Sequence, residues 1–301
     1  MSLIEARGVG KSYGDHEVLR GIDLDVAEGE IVGILGANGA GKTTLVEIIA
    51  GLRTLDSGTV RVAGLDPQAD ERALRQILGM QLQQTRLPAR TTPREVLDLF
   101  ASFYDDPQPT DQLLESFGLT AQAAQHVGTL SGGQQQRLAV ALALVGRPRI
   151  AILDELTTGL DPAARRDIWT YLDDLAGQGT TMLLVTHSME EAAHLCDRVC
   201  ILVDGRIAQE GAPADLAASA GAEHFSFVPS HPARLPDLEN LPGVESVTVE
   251  DGTVTVTGSS VALQTVLTAL SGEGITAERL RVTTPTLDDA YLRATREVRH
   301  G

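Results

Sequence analysis

The apolar positions of this chain follow two patterns, and each pattern predicts a different kind of strand. Residues 2–26 alternate apolar and polar side chains around turn signals at Gly10, Gly14 and Gly21, which predicts short antiparallel strands. Three later runs are almost continuously apolar, as expected of strands buried within a sheet. These runs span residues 30–35, 150–153 and 180–185. Helical patterns separate the runs, so the chain is predicted to have an α/β fold.

A helical insertion is predicted between two of the strands. Thr92, Pro93 and Glu95 have the spacing of a helix start, with Thr92 as N-cap, Pro93 at the first position and Glu95 closing a capping box. The pattern stays helical from there to about residue 128, and we predict an α-helical subdomain over about residues 84–147.

The pattern changes near residue 215, which predicts two domains, residues 1–215 and 216–301. Residues 211–222 are mostly small and are predicted to form a helix that leads to a linker. Beyond it we predict a hairpin around Asp251-Gly252, a helix, a strand and a final helix. The elements after the hairpin span residues 259–270, 275–282 and 285–295. This small α+β domain shows no catalytic constellation; it is predicted to stabilise a dimer, cap the first domain or modulate it.

Composition narrows the function classes. The formal net charge is −17, and both predicted domains are acidic, which argues against a nucleic-acid surface and against direct binding of anionic lipid. We find no run of about 18 apolar residues and no signal-peptide pattern, so we expect any membrane association to go through a protein partner. The only cysteines, Cys196 and Cys200, are predicted to be reduced and packed.

Residues 36–44 match the pattern G-x-x-x-x-G-K-[ST] between a predicted strand and a predicted helix. Glycine lets the backbone approach a phosphate closely, and the N–H groups at the following helix start point at the anion. Lys42, one of two lysines in the chain, is predicted to pair with the β- and γ-phosphates, and Thr43 to bind Mg²⁺. The predicted nucleotide-binding residues here are Gly36, Asn38, Gly39, Gly41, Lys42, Thr43 and Thr44.

A second helix start of the same chemical kind follows Leu130. Ser131, Gly132 and Gly133 supply a hydroxyl and two small residues before an apolar helix, which makes a second candidate anion site. One nucleotide cannot easily use both sites within one compact domain.

Polar residues end three predicted strands, and each has a functional and a structural interpretation. Asp154 and Glu155 are either a Mg²⁺ ligand with a water-orienting base or a solvated acidic loop. His187 either hydrogen-bonds a phosphate or is structural. Tyr13 either stacks on an adenine base or is an ordinary strand tyrosine.

Taken together, these motifs resemble the ATP-binding subunits of ABC transporters over residues 1 to about 215, which implies a P-loop NTPase core. The resemblance assigns the motifs in chain order as follows: the A-loop aromatic Tyr13, Walker A at 36–43, the Q-loop Gln83, the signature at 130–134, Walker B at 150–154 with Glu155 next, the D-loop Asp161 and the switch His187.

The resemblance implies how the two anion sites are used. In this family two copies face head to tail, so Ser131, Gly133 and Asp161 would meet the nucleotide bound by the other copy, in a homodimer. Glu155 would be the general base, His187 and Lys42 would stabilise charge, and Gln83 would join Thr43 and Asp154 at Mg²⁺.

Two further signals resemble one branch of the family. Leu156 stands where the family commonly has proline, and residues 285–292 are similar to the end of daunorubicin-exporter-like ATPases. This implies a subunit at the cytoplasmic face of the membrane that energises a separate ABC-2-type permease, which would dock around residues 84–103 and export a drug, antibiotic or other hydrophobic compound. The alternatives are a soluble ABC ATPase of translation or DNA repair, and a module that binds ATP without turnover.

Overall fold

The computed structural model describes residues 2–81, 87–157, 159–232 and 235–300. The described chain divides into two compact units. The first comprises residues up to Pro213 together with the residues from Ala294 on, and the second comprises Ala214–Arg293.

The first unit begins with a three-stranded antiparallel sheet. Its strands are β1 (Ser2–Tyr13), β2 (His16–Ala27) and β4 (Ser57–Val62), in the order β2-β1-β4. The predicted antiparallel pairing before residue 27 is confirmed, but the strands are not short, because β1 and β2 each run for 12 residues. Gly10 and Gly21 lie within these strands, next to irregular pairing, rather than at turns.

A six-stranded sheet forms the centre of the first unit, in the order β5-β6-β7-β3-β8-β9. The strands are β3 (Ile31–Leu35), β5 (Leu78–Gln81), β6 (Ile150–Asp154), β7 (Thr181–Thr186), β8 (Arg198–Val203) and β9 (Arg206–Gly211). All pairs are parallel except β8 with β9. Every residue of β3, β6 and β7 is buried, which agrees with their continuous apolar runs.

Helices flank this sheet and fill the segment between β5 and β6. They are α1 (Lys42–Ile49), α2 (Glu71–Ile77), α3 (Pro93–Ala101), α4 (Thr110–Ser116), α5 (Gly132–Leu144), α6 (Pro162–Gly177) and α7 (Met189–Leu195), with two 3-10 turns at Thr120–Gln122 and Val127–Thr129. The predicted capping box of α3 is present: Thr92 accepts from the Glu95 N–H, and the Glu95 carboxylate accepts from the Thr92 N–H.

The second unit contains a four-stranded antiparallel sheet in the order β11-β12-β10-β13. Its elements are α8 (Pro213–Ser219), whose first residue still belongs to the first unit, β10 (Glu223–Pro229), β11 (Val244–Glu250), β12 (Thr253–Gly258), α9 (Ser260–Gly272) and β13 (Ala277–Thr283). The last helix, α10 (Leu287–His300), begins in the second unit, and its residues from Ala294 on belong to the first. β10 was not predicted, yet it pairs on both sides and places Phe225 and Phe227 in the same buried cluster as Val266 of α9. The hairpin at Asp251-Gly252 is as predicted, and both residues have the positive φ of a tight turn.

In the part of the chain that the structure describes, no helix has the length and apolar character needed to cross a membrane.

Candidate functional site

The phosphate-binding loop connects β3, one of the two central strands of the six-stranded sheet, to α1. β3 is hydrogen-bonded to β7 on one side and β8 on the other, and α1 begins at Lys42. Packing makes glycine necessary at two positions of the loop. A Cβ on Gly36 would lie 2.6 Å from the Leu202 carbonyl oxygen, and Gly41 has φ 104° with Val18 and Leu19 against it.

The N-terminus of α1 is chemically open to an anion. Gly41 occupies the N-cap position, so no side chain caps the first-turn N–H groups. The helix dipole adds partial positive charge at the same place. The loop and the helix start therefore have the geometry of a phosphate site.

Lys42 lies inside this loop. Its Nζ is buried and donates to the carbonyl oxygens of Gly36 at 2.8 Å and Ala37 at 3.1 Å. Burial lowers the pKa of Lys42, and the carboxylates of Asp154 and Glu155 oppose that shift. The loop thus holds one cation where the bound phosphates would be.

Asp154, the last residue of β6, is hydrogen-bonded to Thr43. Thr43 Oγ1 donates to Asp154 Oδ2 at 3.4 Å, and the Asp154 N–H donates to the Gln81 side chain at 3.0 Å. Burial, followed by repulsion from Glu155, raises the pKa of Asp154 to about 6, although Lys42 and Thr43 act in the opposite direction. These surroundings destabilise the ionised form of the carboxyl, and a nearby cation would stabilise that form.

The donor set fits Mg²⁺ held jointly by protein and phosphate. Among the described residues, no three histidine, cysteine, aspartate or glutamate side chains gather to make a metal site of their own. One carboxylate and one hydroxyl beside a phosphate loop suit an ion that takes its other ligands from phosphate and water. Gln83, the third predicted ligand, falls outside the residues that the structure describes.

Glu155 and His187 form a pair at the carboxyl ends of two neighbouring strands. His187 Nδ1 lies 3.3 Å from Glu155 Oε1; the histidine side chain is exposed and the glutamate side chain is mostly buried. The Glu155 N–H donates to the Val185 carbonyl at 2.7 Å. Glu155 has φ 52°, a left-handed conformation that is strained for a residue with a side chain.

The phosphate loop, Asp154 and Glu155 open onto one cleft of about 500 Å³, whereas His187 lines a separate pocket with Thr186, Ser188 and Glu191. The lining of the cleft combines loop residues with both carboxylates: His16, Val18, Asn38, Gly39, Gly41, Lys42, Thr43, Thr44, Asp154 and Glu155. His16 and Val18 could not be predicted from sequence, because they lie on β2 and line the cleft only through tertiary packing.

Tyr13 lies beside this cleft. It pairs in register with His16, which lines the cleft, and its ring is 43% exposed. The Arg53 guanidinium lies 5.3 Å from the ring centroid, and Lys11 Nζ lies 5.8 Å from it. The ring is therefore an exposed aromatic surface rather than part of the core.

Ser131, Gly133 and Asp161, which were predicted to bind nucleotide, do not line the cleft. Ser131 caps α5 through a capping box with Gln134, and Gly133 packs next to Leu160, where a Cβ would come within 3.2 Å of Leu160 Cδ2. Asp161 caps α6 by accepting from two N–H groups, which lower the pKa of its carboxyl. The chain does not bring these three residues to its own phosphate loop.

The phosphate loop lies between a buried strand, β3, and a helix, α1. Two carboxylates, Asp154 and Glu155, lie at the end of β6, two strands away from β3 in the sheet. This arrangement defines the P-loop class of nucleotide-binding proteins. Comparison with known proteins narrows the class. Residues 19–158 match the family model described as ABC transporter.

Two curated relatives are similar over almost the whole chain. A daunorubicin resistance ATP-binding protein of Streptomyces coeruleorubidus is 36% identical, covering 98% of this chain and 96% of the relative. The Nod factor export ATP-binding protein I of Rhizobium sp. (strain N33) is 37% identical, covering 97% and 96%.

Solved structures are similar over about 70% of the chain. An ATP-binding subunit of an ABC transporter superposes with a TM-score of 0.67 at 27% identity, covering 72% of this chain and 93% of that one. A dimeric ATP-binding cassette in a post-hydrolysis state with ADP and Pi gives a TM-score of 0.64 at 29% identity, covering 69% and 98%. The chain belongs to the ABC transporter family as an ATP-binding subunit and an ATPase, which confirms the predicted fold and family. The translation or DNA-repair alternative is not supported.

Proposed function

We propose that this chain supplies the energy for an ABC-2-type exporter of a drug, antibiotic or other hydrophobic compound. The supporting observation is that its similarity to two export or resistance ATP-binding proteins extends beyond the ATPase core, through the second unit. A resemblance confined to the P-loop core would support ATP hydrolysis alone.

At and beside the cleft, each side chain has a task that follows from its position. Lys42 exchanges its bonds to the loop carbonyls for bonds to phosphate oxygens. Glu155 accepts the proton of the attacking water, and His187, 3.3 Å from it, holds the carboxylate and donates to the transferring phosphate. Thr43 and Asp154, with Gln83, would hold Mg²⁺, which offsets phosphate charge when bound.

We propose that the active unit is a homodimer. Ser131, Gly133 and Asp161 are outside their own chain's cleft but are the positions expected to meet a nucleotide in a head-to-tail pair. The similar cassette bound to ADP and Pi is dimeric, which supports this arrangement. ATP bound at one phosphate loop would then be covered by α5 of the second copy, and adenine would stack on Tyr13.

The partner in the membrane is proposed to be a separate permease that docks on an apolar cleft of the first unit. This cleft has a volume of about 660 Å³ and lies between α2, β5 and α3. Its apolar lining includes Leu52, Met80, Phe100, Phe103 and Tyr104, of which Leu52 is 57% and Phe103 61% exposed. Exposed apolar residues around a cleft are typical of a protein-binding site. Bound there, the chain would sit at the cytoplasmic face of the membrane.

Phosphate release by the purified chain tests the catalytic part of this proposal. Wild-type protein should release phosphate from ATP with Mg²⁺, and Glu155→Gln should bind ATP normally but lose at least about 100-fold in kcat, because the proton acceptor is gone. Unchanged hydrolysis by Glu155→Gln would show that Glu155 is not the base.

Export is tested separately, with the permease that co-purifies with this chain. Cells that express both chains should exclude a hydrophobic fluorescent compound, and cells in which this chain carries Glu155→Gln should not. Equal exclusion by both strains would contradict the proposed energising role.

A further inference from the structure

Glu155 is held in its strained conformation from two sides. Its N–H is bonded to Val185 on β7, as described above. On the other side, Gln136 Nε2 donates to the Glu155 carbonyl at 3.1 Å and to the Leu156 carbonyl at 3.0 Å. The amide of one glutamine has two N–H donors, so a single side chain satisfies both carbonyls.

The surroundings of Gln136 fix it in place. It projects from the first turns of α5, on the same face as Gly133, which is three residues earlier in the helix. That face packs against the segment after Glu155, since Leu160 lies against Gly133. Leu156 is fully buried, so the Glu155–Leu156 peptide, whose carbonyl accepts from Gln136, cannot rotate freely.

We propose that Gln136 is a positioning residue for the general base. By donating hydrogen bonds to both carbonyls, it keeps Glu155 in the left-handed conformation that orients its carboxylate towards the attacking water. Strained backbone of this kind persists only when neighbouring groups determine it. This inference rests on the proposed role of Glu155. It also ties the base to α5, the helix whose N-terminus carries Ser131.

Gln136→Met tests this proposal, because methionine has a similar length but no donor. We expect kcat for ATP hydrolysis to fall about 10- to 100-fold, because small misplacement of a catalytic group has effects of this size. We expect KM for ATP to stay within about 3-fold, because no phosphate contact is lost.

Two further variants separate positioning from general destabilisation. Gln108→Met removes a comparable bond, from a buried glutamine amide to the Leu144 carbonyl at 2.9 Å, away from Glu155. It should lower Tm without changing kcat. If Gln136→Met does not fold, Gln136→Glu has the same length and, as a carboxylate, also cannot donate; it should show the same split between kcat and KM.

A double-mutant cycle gives the decisive result. Added to Glu155→Gln, Gln136→Met should cause no further loss of rate and no loss of ATP affinity, because the group it positions is already absent. Independent, additive losses would overturn the proposal, as would a kcat within about 3-fold of wild type for folded Gln136→Met. If instead wild-type protein releases no phosphate, or Glu155→Gln is fully active, the proposed function fails and not this inference alone.

Discussion

Replacing Asp154 with asparagine should stabilise the nucleotide-free protein at neutral pH, and the gain should disappear in acid. Asp154 is buried at the end of β6, and its pKa is raised to about 6 from an ordinary 3.8, first by burial and then by Glu155. The folded protein therefore binds this proton more tightly than the unfolded chain does.

The sign of the pH dependence follows from that difference. Stability from this group is greatest below about pH 4, falls as the pH rises through the interval between the unfolded and folded pKa values, and levels off above about pH 6. A rise of roughly two pKa units corresponds to at most about 3 kcal/mol. Asparagine carries no charge at any of these pH values, so Asp154→Asn should gain about 1–3 kcal/mol at pH 7.5 and nothing near pH 4.

Urea unfolding at a series of pH values measures this gain directly. Trp169, the single tryptophan, lies in α6 of the first unit and reports the unfolding of that unit. EDTA must be present so that no divalent cation binds the carboxylate. Asp105→Asn, at an exposed position, is the control and should change stability by less than about 0.5 kcal/mol. A gain for Asp154→Asn that is equal at pH 4 and pH 8, or absent, would refute the reasoning.

Three other changes give distinct expectations. Ser131→Ala and Thr92→Ala each remove a helix N-cap, so each should lower the free energy of unfolding by about 1 kcal/mol. Only Ser131→Ala should also lower kcat for ATP hydrolysis, by more than about 10-fold, with ATP binding retained. Equal rates in the two variants would contradict the role of Ser131. Tyr13→Ala should weaken ATP binding about 5- to 100-fold in equilibrium titration and Tyr13→Phe should not, since ring stacking on a base contributes about 1–3 kcal/mol. Phe103→Asp should abolish co-purification with the permease. Normal ATP binding by this variant would show that it is folded. Undiminished co-purification would place the permease-binding site elsewhere.

The phosphate site could be predicted from sequence because its chemistry lies in one short stretch. Residues 36–44 contain the loop, the lysine and the hydroxyl, and flanking apolar patterns place them between a strand and a helix. Asp154 and Glu155 were recognisable because they end a continuous apolar run. Local pattern was sufficient wherever the functional group and its supporting element are adjacent in the chain.

Contacts between distant segments could not be predicted in this way. Gln136 is separated from Glu155 by 19 positions, and only the packing of α5 shows that its side chain is hydrogen-bonded to the Glu155 carbonyl. Gln81 bonds the Asp154 N–H across 73 positions. The missed strand β10 did have a local signal, unlike these distant contacts. Phe225 and Phe227 alternate with polar neighbours and both are buried, which is the period-two pattern of a strand. The assumption that a linker follows residue 222 led to this pattern being overlooked.

Mixing two inactive variants tests most directly whether the catalytic pocket is shared between two copies. Lys42→Ala lacks the phosphate-loop cation, and Ser131→Arg blocks the signature surface, so each homodimer should release almost no phosphate. A mixed dimer has one pocket with both parts intact, so an equal mixture should recover about a quarter of the wild-type rate when pairing is random. A mixture no more active than its separate components would contradict a pocket shared between copies.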